Sequence, residues 1–360
     1  MKPIVGVIDF FCGFGGLSLG LKQAGLKILA GIDAWDKAKA VYEANIESPF
    51  IHADIRQISL DNLERIINPH KPDFICFAGG PPCQPHSRAL PEKWRKQKLQ
   101  NWDPVFEHYA KLVLNYRPDC ILLEEVPPAR KYQLLRNFIN SLTENGYFVT
   151  ENGLLATNYG VPQKRRRFFL VASRLGKIEF PEPTTADKHK TLIEAIGHLP
   201  PLKAGETDPN DPAHTTGKIT NELSLRRISY AKPGGTYADL PFELWQPVKQ
   251  RYFRKFGKIP TWGAYMRLDP NQPSPTITTD IGLTRGRVIH PFQDRVISPR
   301  EAALLQSFPN DFDLCPKGTK LSRTAMYKGI GNAVPPLVAK AFGEQILRFF
   351  TQVQNGNVNG

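Results

Sequence analysis

The 360-residue chain has five cysteines, and one of them, Cys83, stands in a setting suited to chemistry. It lies in Ala78-Gly79-Gly80-Pro81-Pro82-Cys83-Gln84-Pro85-His86-Ser87, directly after the apolar run Phe74-Ile75-Cys76-Phe77-Ala78. That run reads as a buried parallel strand, and the glycines and prolines then force an abrupt turn. A thiol is thereby presented at the carboxyl end of a strand, where open α/β sheets bind their ligands. A cysteine is more often an inert small hydrophobe, but a core position has no use for a rigid Gly-Gly-Pro-Pro frame. An ordinary thiol is only slightly ionised at neutral pH, so a nucleophilic Cys83 needs activation.

Carboxylates recur at the ends of the predicted strands. Ile4 to Asp9 reads as a strand ending in an acid, followed by Phe10-Phe11-Cys12-Gly13-Phe14-Gly15-Gly16 and a helix from Leu17 to Ala24. Strand, glycine turn and helix make a nucleotide-type turn, with free N–H groups at the helix start. A second strand, Lys27 to Ile32, ends at Asp33, with Trp35 placed to stack on a purine, and a helix over Asp36 to Asn45 follows. His52-Ala53-Asp54-Ile55 closes a third strand at the same sheet edge. Three such acids suit an adenosine moiety. Gly13-x-Gly15-Gly16 is not the dinucleotide fingerprint, and the phosphate-loop pattern Gly-x-x-x-x-Gly-Lys-Ser/Thr is absent.

Further along, Cys120 to Leu123 reads as a strand ending at Glu124-Glu125-Val126, whose alternation lets only one glutamate face the pocket beside Cys83. Before it, Ser87 to Lys98 reads as a mobile basic loop able to close over a polyanion, and a helix opens at Asp103-Pro104 and runs to about Tyr116. A helix from about Lys131 leads to a strand pair around 147–155 and 168–173. Between these strands, alternation in Gln163-Lys164-Arg165-Arg166-Arg167 puts Gln163, Arg165 and Arg167 on one side.

Forty-seven Lys and Arg against 34 Asp and Glu give a net charge of +13, which suits a polyanionic partner such as nucleic acid. Hydrophobic content of 41% is ordinary for a globular chain, and no apolar run reaches the length of a membrane span. The N-terminus enters a strand at once, without a signal segment. The odd cysteine count points to reduced thiols in a cytosol-like compartment, and neither Cys nor His shows metal-ligand spacing. Composition shifts after Arg174 toward Pro, Gly, Thr and Asp, which marks a domain boundary. Within that region, Lys249, Arg251, Arg254, Lys255 and Lys258 alternate with Trp245, Tyr252, Phe253 and Phe256, a mixture suited to phosphate contacts and stacking. Arg285 and Arg287 could reach base edges or phosphates. Ser298-Pro299-Arg300-Glu301 carries a helix start with its capping box, and a final helix spans Leu337 to Phe350.

With these pieces in order the chain resembles the DNA (cytosine-5)-methyltransferase family of bacterial restriction-modification type. The resemblance rests on Asp9-Phe-Phe-Cys-Gly-Phe-Gly-Gly16, Gly80-Pro-Pro-Cys-Gln84, Glu124-Glu125-Val126, Gln163-Lys-Arg-Arg-Arg167, Arg295 to Pro309 and Gly329-Ile-Gly-Asn-Ala-Val-Pro335. Only about 176–265 falls outside it. Two positions depart from the family pattern: Glu125 stands where Asn is usual, and His86 stands where Phe precedes the serine.

The resemblance implies an α/β, Rossmann-like S-adenosylmethionine-dependent methyltransferase sheet over 1–175 plus 322–360. A second, smaller DNA-recognition domain would span 176–321. It implies methyl transfer to carbon 5 of cytosine in double-stranded DNA, with S-adenosylhomocysteine as product and no metal. Cys83 would be the nucleophile, Glu124 would hold or protonate ring nitrogen 3, Arg165 would contact the base carbonyl and Arg167 would assist. Phe11, Gly13, Gly15, Asp33, Trp35, Asp54, Pro82 and Asn332 would bind the cofactor. Ser87, Arg88, Gln163, Lys249, Arg251, Arg254, Arg285 and Arg287 would meet DNA. The target base would be flipped out of the stack. A monomer, cytoplasmic and away from any membrane, paired with a restriction endonuclease, completes the expectation. A transfer-RNA branch of the superfamily carries a Cys-Phe-Thr tripeptide that this chain lacks. A binding protein without activity would not require a nucleophile.

Overall fold

The computed structural model describes residues 2–81, 92–259, 265–283 and 287–356, with backbone but not side chains for 92–102 and 287. Along the chain run β1 (Val5–Phe10), α1 (Gly16–Gln23), β2 (Lys27–Asp33), α2 (Lys39–Ile46), β3 (Phe50–His52), α3 (Leu60–Ile67), β4 (Phe74–Gly79), α4 (Glu92–Tyr116), β5 (Cys120–Glu125), α5 (Gln133–Glu144), β6 (Phe148–Leu155), β7 (Gln163–Lys164) and β8 (Arg166–Ser173). Then come α6 (Leu192–Ile196), β9 (Thr207–Asp208), β10 (Asp211–Thr215), α7 (Glu222–Tyr230), α8 (Pro247–Phe256), β11 (Met266–Arg267), β12 (Ser274–Pro275), β13 (Arg287–Ile289), α9 (Pro299–Leu305), α10 (Arg323–Asn332) and α11 (Pro336–Gln354).

The chain divides into two compact units, one of 1–159, 166–184 and 333–360, the other of 160–165 and 185–332. The first unit holds a seven-stranded sheet in the order β3-β2-β1-β4-β5-β8-β6. Strands β3 to β5 run parallel, and β8 lies antiparallel between β5 and β6. Strands β1 and β5 are buried along their whole length, as near-continuous apolar runs in a covered parallel sheet should be. One sheet face packs Phe10, Phe77, Leu123 and Phe168 against Phe106 and Tyr109 of α4 and Leu135 and Phe138 of α5. On α1, Gly20 lies so close to α11 that an added Cβ would fall 2.2 Å from the Pro336 carbonyl.

The second unit is built from short elements. The pairs β9–β10, β11–β13 and β7–β12 are each two-stranded. Helix α9 forms where the capping box at Ser298 predicted it, with Pro299 in its first turn and Glu301 completing the box. Arg295 makes a doubly bonded ion pair with Glu301, 2.7 Å at each oxygen, and both side chains are buried. Arg267 donates to the carbonyls of Ile228 and Ala231 at the end of α7 and of His290 and Gln293 after β13, and thus ties these two segments to β11.

Three expectations shift. The third strand ends at His52, and Asp54 instead caps the short turn Ile55–Gln57. The helix expected from Asp36 starts as a 3-10 turn, Asp36–Ala38, before α2 proper. Helix α4 begins at Glu92, so Pro104 lies inside the helix and much of the expected basic loop is helical. Proline reads as a helix start because it has no N–H to give a preceding turn; here the helix runs on both sides of it.

Candidate active site

The turn after β1 is shaped by residues that hold unusual backbone conformations. Phe11, Gly13 and Gly15 have φ of 61°, 50° and 84°. Phe11 is the costly one, since a bulky residue rarely takes that region. It is held by its N–H donating to the Ile32 carbonyl at 2.8 Å and by its ring edge against Tyr109. At Gly13 a Cβ would meet nothing within 4 Å among the described residues, which leaves room there for a ligand to approach the backbone.

Acidic side chains brace this turn. Asp33, the last residue of β2, accepts from the Gly13 N–H and the Trp35 N–H, each at 2.8 Å. The half-buried Trp35 ring stacks on Phe14, with centroids 5.4 Å apart. Asp9 lies on β1 with one oxygen accepting from the Ser18 N–H at 3.1 Å and the Ser18 hydroxyl at 2.6 Å, so it caps the start of α1. The Tyr42 hydroxyl lies 2.9 Å from Ser18 Oγ and extends the network. The other Asp9 oxygen is buried without a partner, and burial pushes its carboxyl up to about 7 despite the Ser18 bonds. Asp54 is turned to Arg56, which clamps both its oxygens and holds its carboxyl below the usual range.

Strand pairing places a second turn beside the first. Phe10 at the end of β1 pairs with Gly79 at the end of β4, and Gly79 pairs with Leu123 on β5. The next residue of β5 is Glu124, and a Cβ added at Gly80 would fall 3.3 Å from its Oε2. The backbone at Gly80 thus passes directly against this carboxylate. Arg167 Nε lies 2.9 Å from Glu124 Oε1, an ion pair whose side chains are 15% and 8% exposed. Glu125 is fully buried; one oxygen accepts from the Val126 N–H at 3.0 Å and the other has no partner.

The polar run before β8 is divided between the units. Gln163 and Arg165 belong to the second, where both are buried. The Gln163 side chain donates to the Leu305 carbonyl and Gln306 Oε1 and accepts from the Ile277 N–H. Arg165 donates to the Ile277 and Gly331 carbonyls at 3.2 and 3.0 Å. Arg167, expected to assist, is the arginine that pairs with Glu124. Asn332 ends α10 and is exposed. On α8, Arg251 and Arg254 are exposed, and Arg254 lies over the Phe242 ring at 5.5 Å. Lys249 instead is buried over the Tyr237 ring, and burial pushes its ammonium down to about 8. Alternation on a helix marks a face but not which face is covered, and so it could not separate Lys249 from its neighbours.

Pro82, Cys83, Ser87, Arg88 and Arg285 lie outside the described residues, as does the Arg287 side chain. Among the described residues no group of three His, Cys, Asp or Glu side chains could hold a metal. No described helix is long and apolar enough to cross a membrane. Sequence reasoning noted Asp9 only as the acid ending a strand and missed its cap on α1 and its link to Ser18 and Tyr42; the signal available was an acid placed just ahead of the glycine turn.

Residues 5–348 match the family model for C-5 cytosine-specific DNA methylases. The chain is 35% identical over 351 residues to the type II methylase M.HgiDII of Herpetosiphon aurantiacus, covering 95% of each. It is 33% identical to the type II methyltransferase M1.HphI of Haemophilus parahaemolyticus, over 96% of this chain and 87% of that one. Among solved structures, the fold is similar to an E. coli prophage protein described as a DNA modification methyltransferase, with a TM-score of 0.71 at 22% identity over 96% of this chain and 99% of that one. It is also similar to the Dnmt2 methyltransferase of S. pombe, with a TM-score of 0.60 at 17% identity, over 97% and 98% of the two chains. A parallel-rich α/β sheet with a glycine turn after its first strand defines the class, a methyltransferase sheet. The chain belongs to the C-5 cytosine-specific DNA methylase family and is a DNA (cytosine-5)-methyltransferase.

Proposed function

We propose that the enzyme works by covalent catalysis from Cys83 on a cytosine flipped out of double-stranded DNA. The observation that carries this reading is the approach of Gly80 to Glu124, with Arg167 paired to the same carboxylate. Cytosine carbon 5 is a poor nucleophile. A bond from the Cys83 sulfur to carbon 6 pushes a ring electron pair toward carbon 5 and leaves negative charge to be shared with nitrogen 3. Glu124 meets nitrogen 3, supplying or sharing a proton there. Arg167, already beside Glu124, meets the base carbonyl with a charge-assisted bond. We assign that contact to Arg167 in the first place, with Arg165 supporting from its bonds to Ile277 and Gly331. Once carbon 5 carries the new methyl group, its proton passes to solvent water, and the electron pair left behind expels the thiolate from carbon 6 and regenerates Cys83.

The family implies the use of S-adenosylmethionine, which supplies an electrophilic methyl when bound. The residues fit such a group: Gly13 leaves room for a ligand among the described residues, Asp33 and Trp35 flank the same turn, and Asp9 has an oxygen to spare. We assign Phe11, Gly13, Gly15, Asp33, Trp35, Asp54, Pro82 and Asn332 to hold it. The second unit would serve target recognition, with Arg251 and Arg254 on α8, together with Ser87, Arg88, Gln163, Lys249, Arg285 and Arg287, as the candidate DNA contacts. We take the enzyme to act as a cytoplasmic monomer paired with a restriction endonuclease.

The test is Cys83→Ser with labelled methyl donor. Transfer to cytosine should vanish while DNA binding persists, and near-normal turnover would refute the nucleophile. Wild-type protein assayed on DNA and RNA side by side should label DNA, and preferential labelling of RNA would move the substrate class.

A further inference from the structure

Glu125 is a full carboxyl group inside the sheet. It is 0% exposed, its Oε2 accepts a single hydrogen bond from the Val126 N–H, and its Oε1 has none. A carboxylate in that state would leave most of its charge without compensation, while a neutral carboxyl costs far less to bury. Among the described residues two charges act on it. Glu124 on its own strand opposes ionisation, and Arg167 on β8 favours it. Arg167, however, is taken up by Glu124 at 2.9 Å. Nearby ionisable groups have partners of their own: Arg130, in the turn after β5, pairs with Glu151 of β6, and Asp103 of α4 accepts from the Tyr132 hydroxyl. Alternation along β5 turns Glu125 to the face of Leu123, among Phe168 and the aromatic core.

We propose that Glu125 is a positioning residue kept as an uncharged carboxylic acid, so that Glu124 is the only anion at the end of β5 and retains Arg167 to itself. The arrangement explains how this chain accepts a glutamate where the family pattern has uncharged asparagine. Burial and the neighbouring Glu124 both push the Glu125 carboxyl well above the ordinary range, which agrees with the geometry. A second anion next to Glu124 would compete for the single guanidinium and draw it off the position from which it meets the base. The proposal rests on the role given above to Glu124 and Arg167, but the charge state of Glu125 can be tested without it.

Two neutral replacements, Glu125→Gln and Glu125→Asn, are compared with wild type for melting temperature and for single-turnover methyl transfer. At about pH 6 glutamine should match wild type in rate within roughly a factor of two, and the two melting temperatures should lie nearest each other at the acid end of the range. Because the folded carboxyl holds its proton more tightly than the unfolded one, wild type must lose melting temperature against Glu125→Gln as pH rises. Its rate should fall at the alkaline end while that of the variant stays level. A melting-temperature gap that is constant from about pH 5 to 9 overturns the proposal. So does a rate loss beyond about tenfold in folded Glu125→Gln at about pH 6, or failure of both neutral variants to fold there. If Glu124→Gln transfers methyl normally, the catalytic reading fails instead, and the melting curves still report on Glu125.

Discussion

Arg167→Ala tests the pairing on which the site depends. The substitution removes the guanidinium 2.9 Å from Glu124 Oε1 and leaves a carboxylate that is 8% exposed. Exposed pairs contribute about 0–1 kcal/mol, whereas deleting one partner of a buried pair costs about 3–5 kcal/mol. With side chains only 15% and 8% exposed, this pair lies near the buried limit. The contact lacks the alignment of a hydrogen bond, so a cost of about 3 kcal/mol is expected, the lower end of the buried range. The backbone should hold, because β8 pairs through Arg167 with Leu154 whatever the side chain. For 360 residues unfolding with about 2.1 cal/mol/K of entropy each, the melting temperature should fall by about 4 °C. Urea unfolding of Arg167→Ala, Glu124→Gln and the double variant gives the coupling, expected at about 2 kcal/mol, because the double variant leaves no stranded charge. A single-variant cost under about 1 kcal/mol, or a coupling indistinguishable from zero, would show that the two side chains do not depend on each other.

The other expectations follow from individual residues. Asp9, with its carboxyl raised to about 7, stays protonated in the folded chain while the unfolded chain ionises near 3.8. Its stability contribution is therefore present below that lower value and is lost as pH climbs through about 7, at up to about 1.4 kcal/mol per pH unit. Asp9→Asn should flatten that slope in urea titrations, and an unchanged slope would count against a protonated Asp9. Gly80→Ala puts a methyl 3.3 Å from Glu124 Oε2. Stability should change by under about 1 kcal/mol while single-turnover rate drops about tenfold, and equal losses in both would make the contact merely structural. Replacing Arg251 and Arg254 together with alanine should reduce the salt dependence of DNA binding by up to about two units of log–log slope. An unaltered slope would remove α8 from the DNA contacts.

Strand ends were the legible part of the sequence. Asp9, Asp33 and Glu124 were all placed at or beside a turn by apolar periodicity and glycine punctuation, and each stands there in the fold. What one-dimensional pattern could not carry was which neighbour each side chain would meet. Gln163, Arg165 and Arg167 share a parity, yet Gln163 and Arg165 fold with the second unit through Ile277, Gly331 and Leu305, while Arg167 joins the sheet. That partition is decided by partners more than a hundred residues away. Helix α4 is longer than its pattern suggests, because Pro104 reads as a start and the charged stretch before it has no clean periodicity. The burial of Glu125 was invisible for the same reason: alternation told its face, and only the packing of Phe168 and the α4–α5 layer told that water is excluded there.

Helix α11 has a consequence for how the enzyme comes into being. It packs on α1 through Gly20 and Gly343, where an added Cβ would strike the Pro336 carbonyl and Ala24, and α1 is the helix that Asp9 caps behind the glycine turn. The ribosome releases this last brace only after the entire intervening unit has been made. A chain stopped before α11 lacks this brace behind the glycine turn.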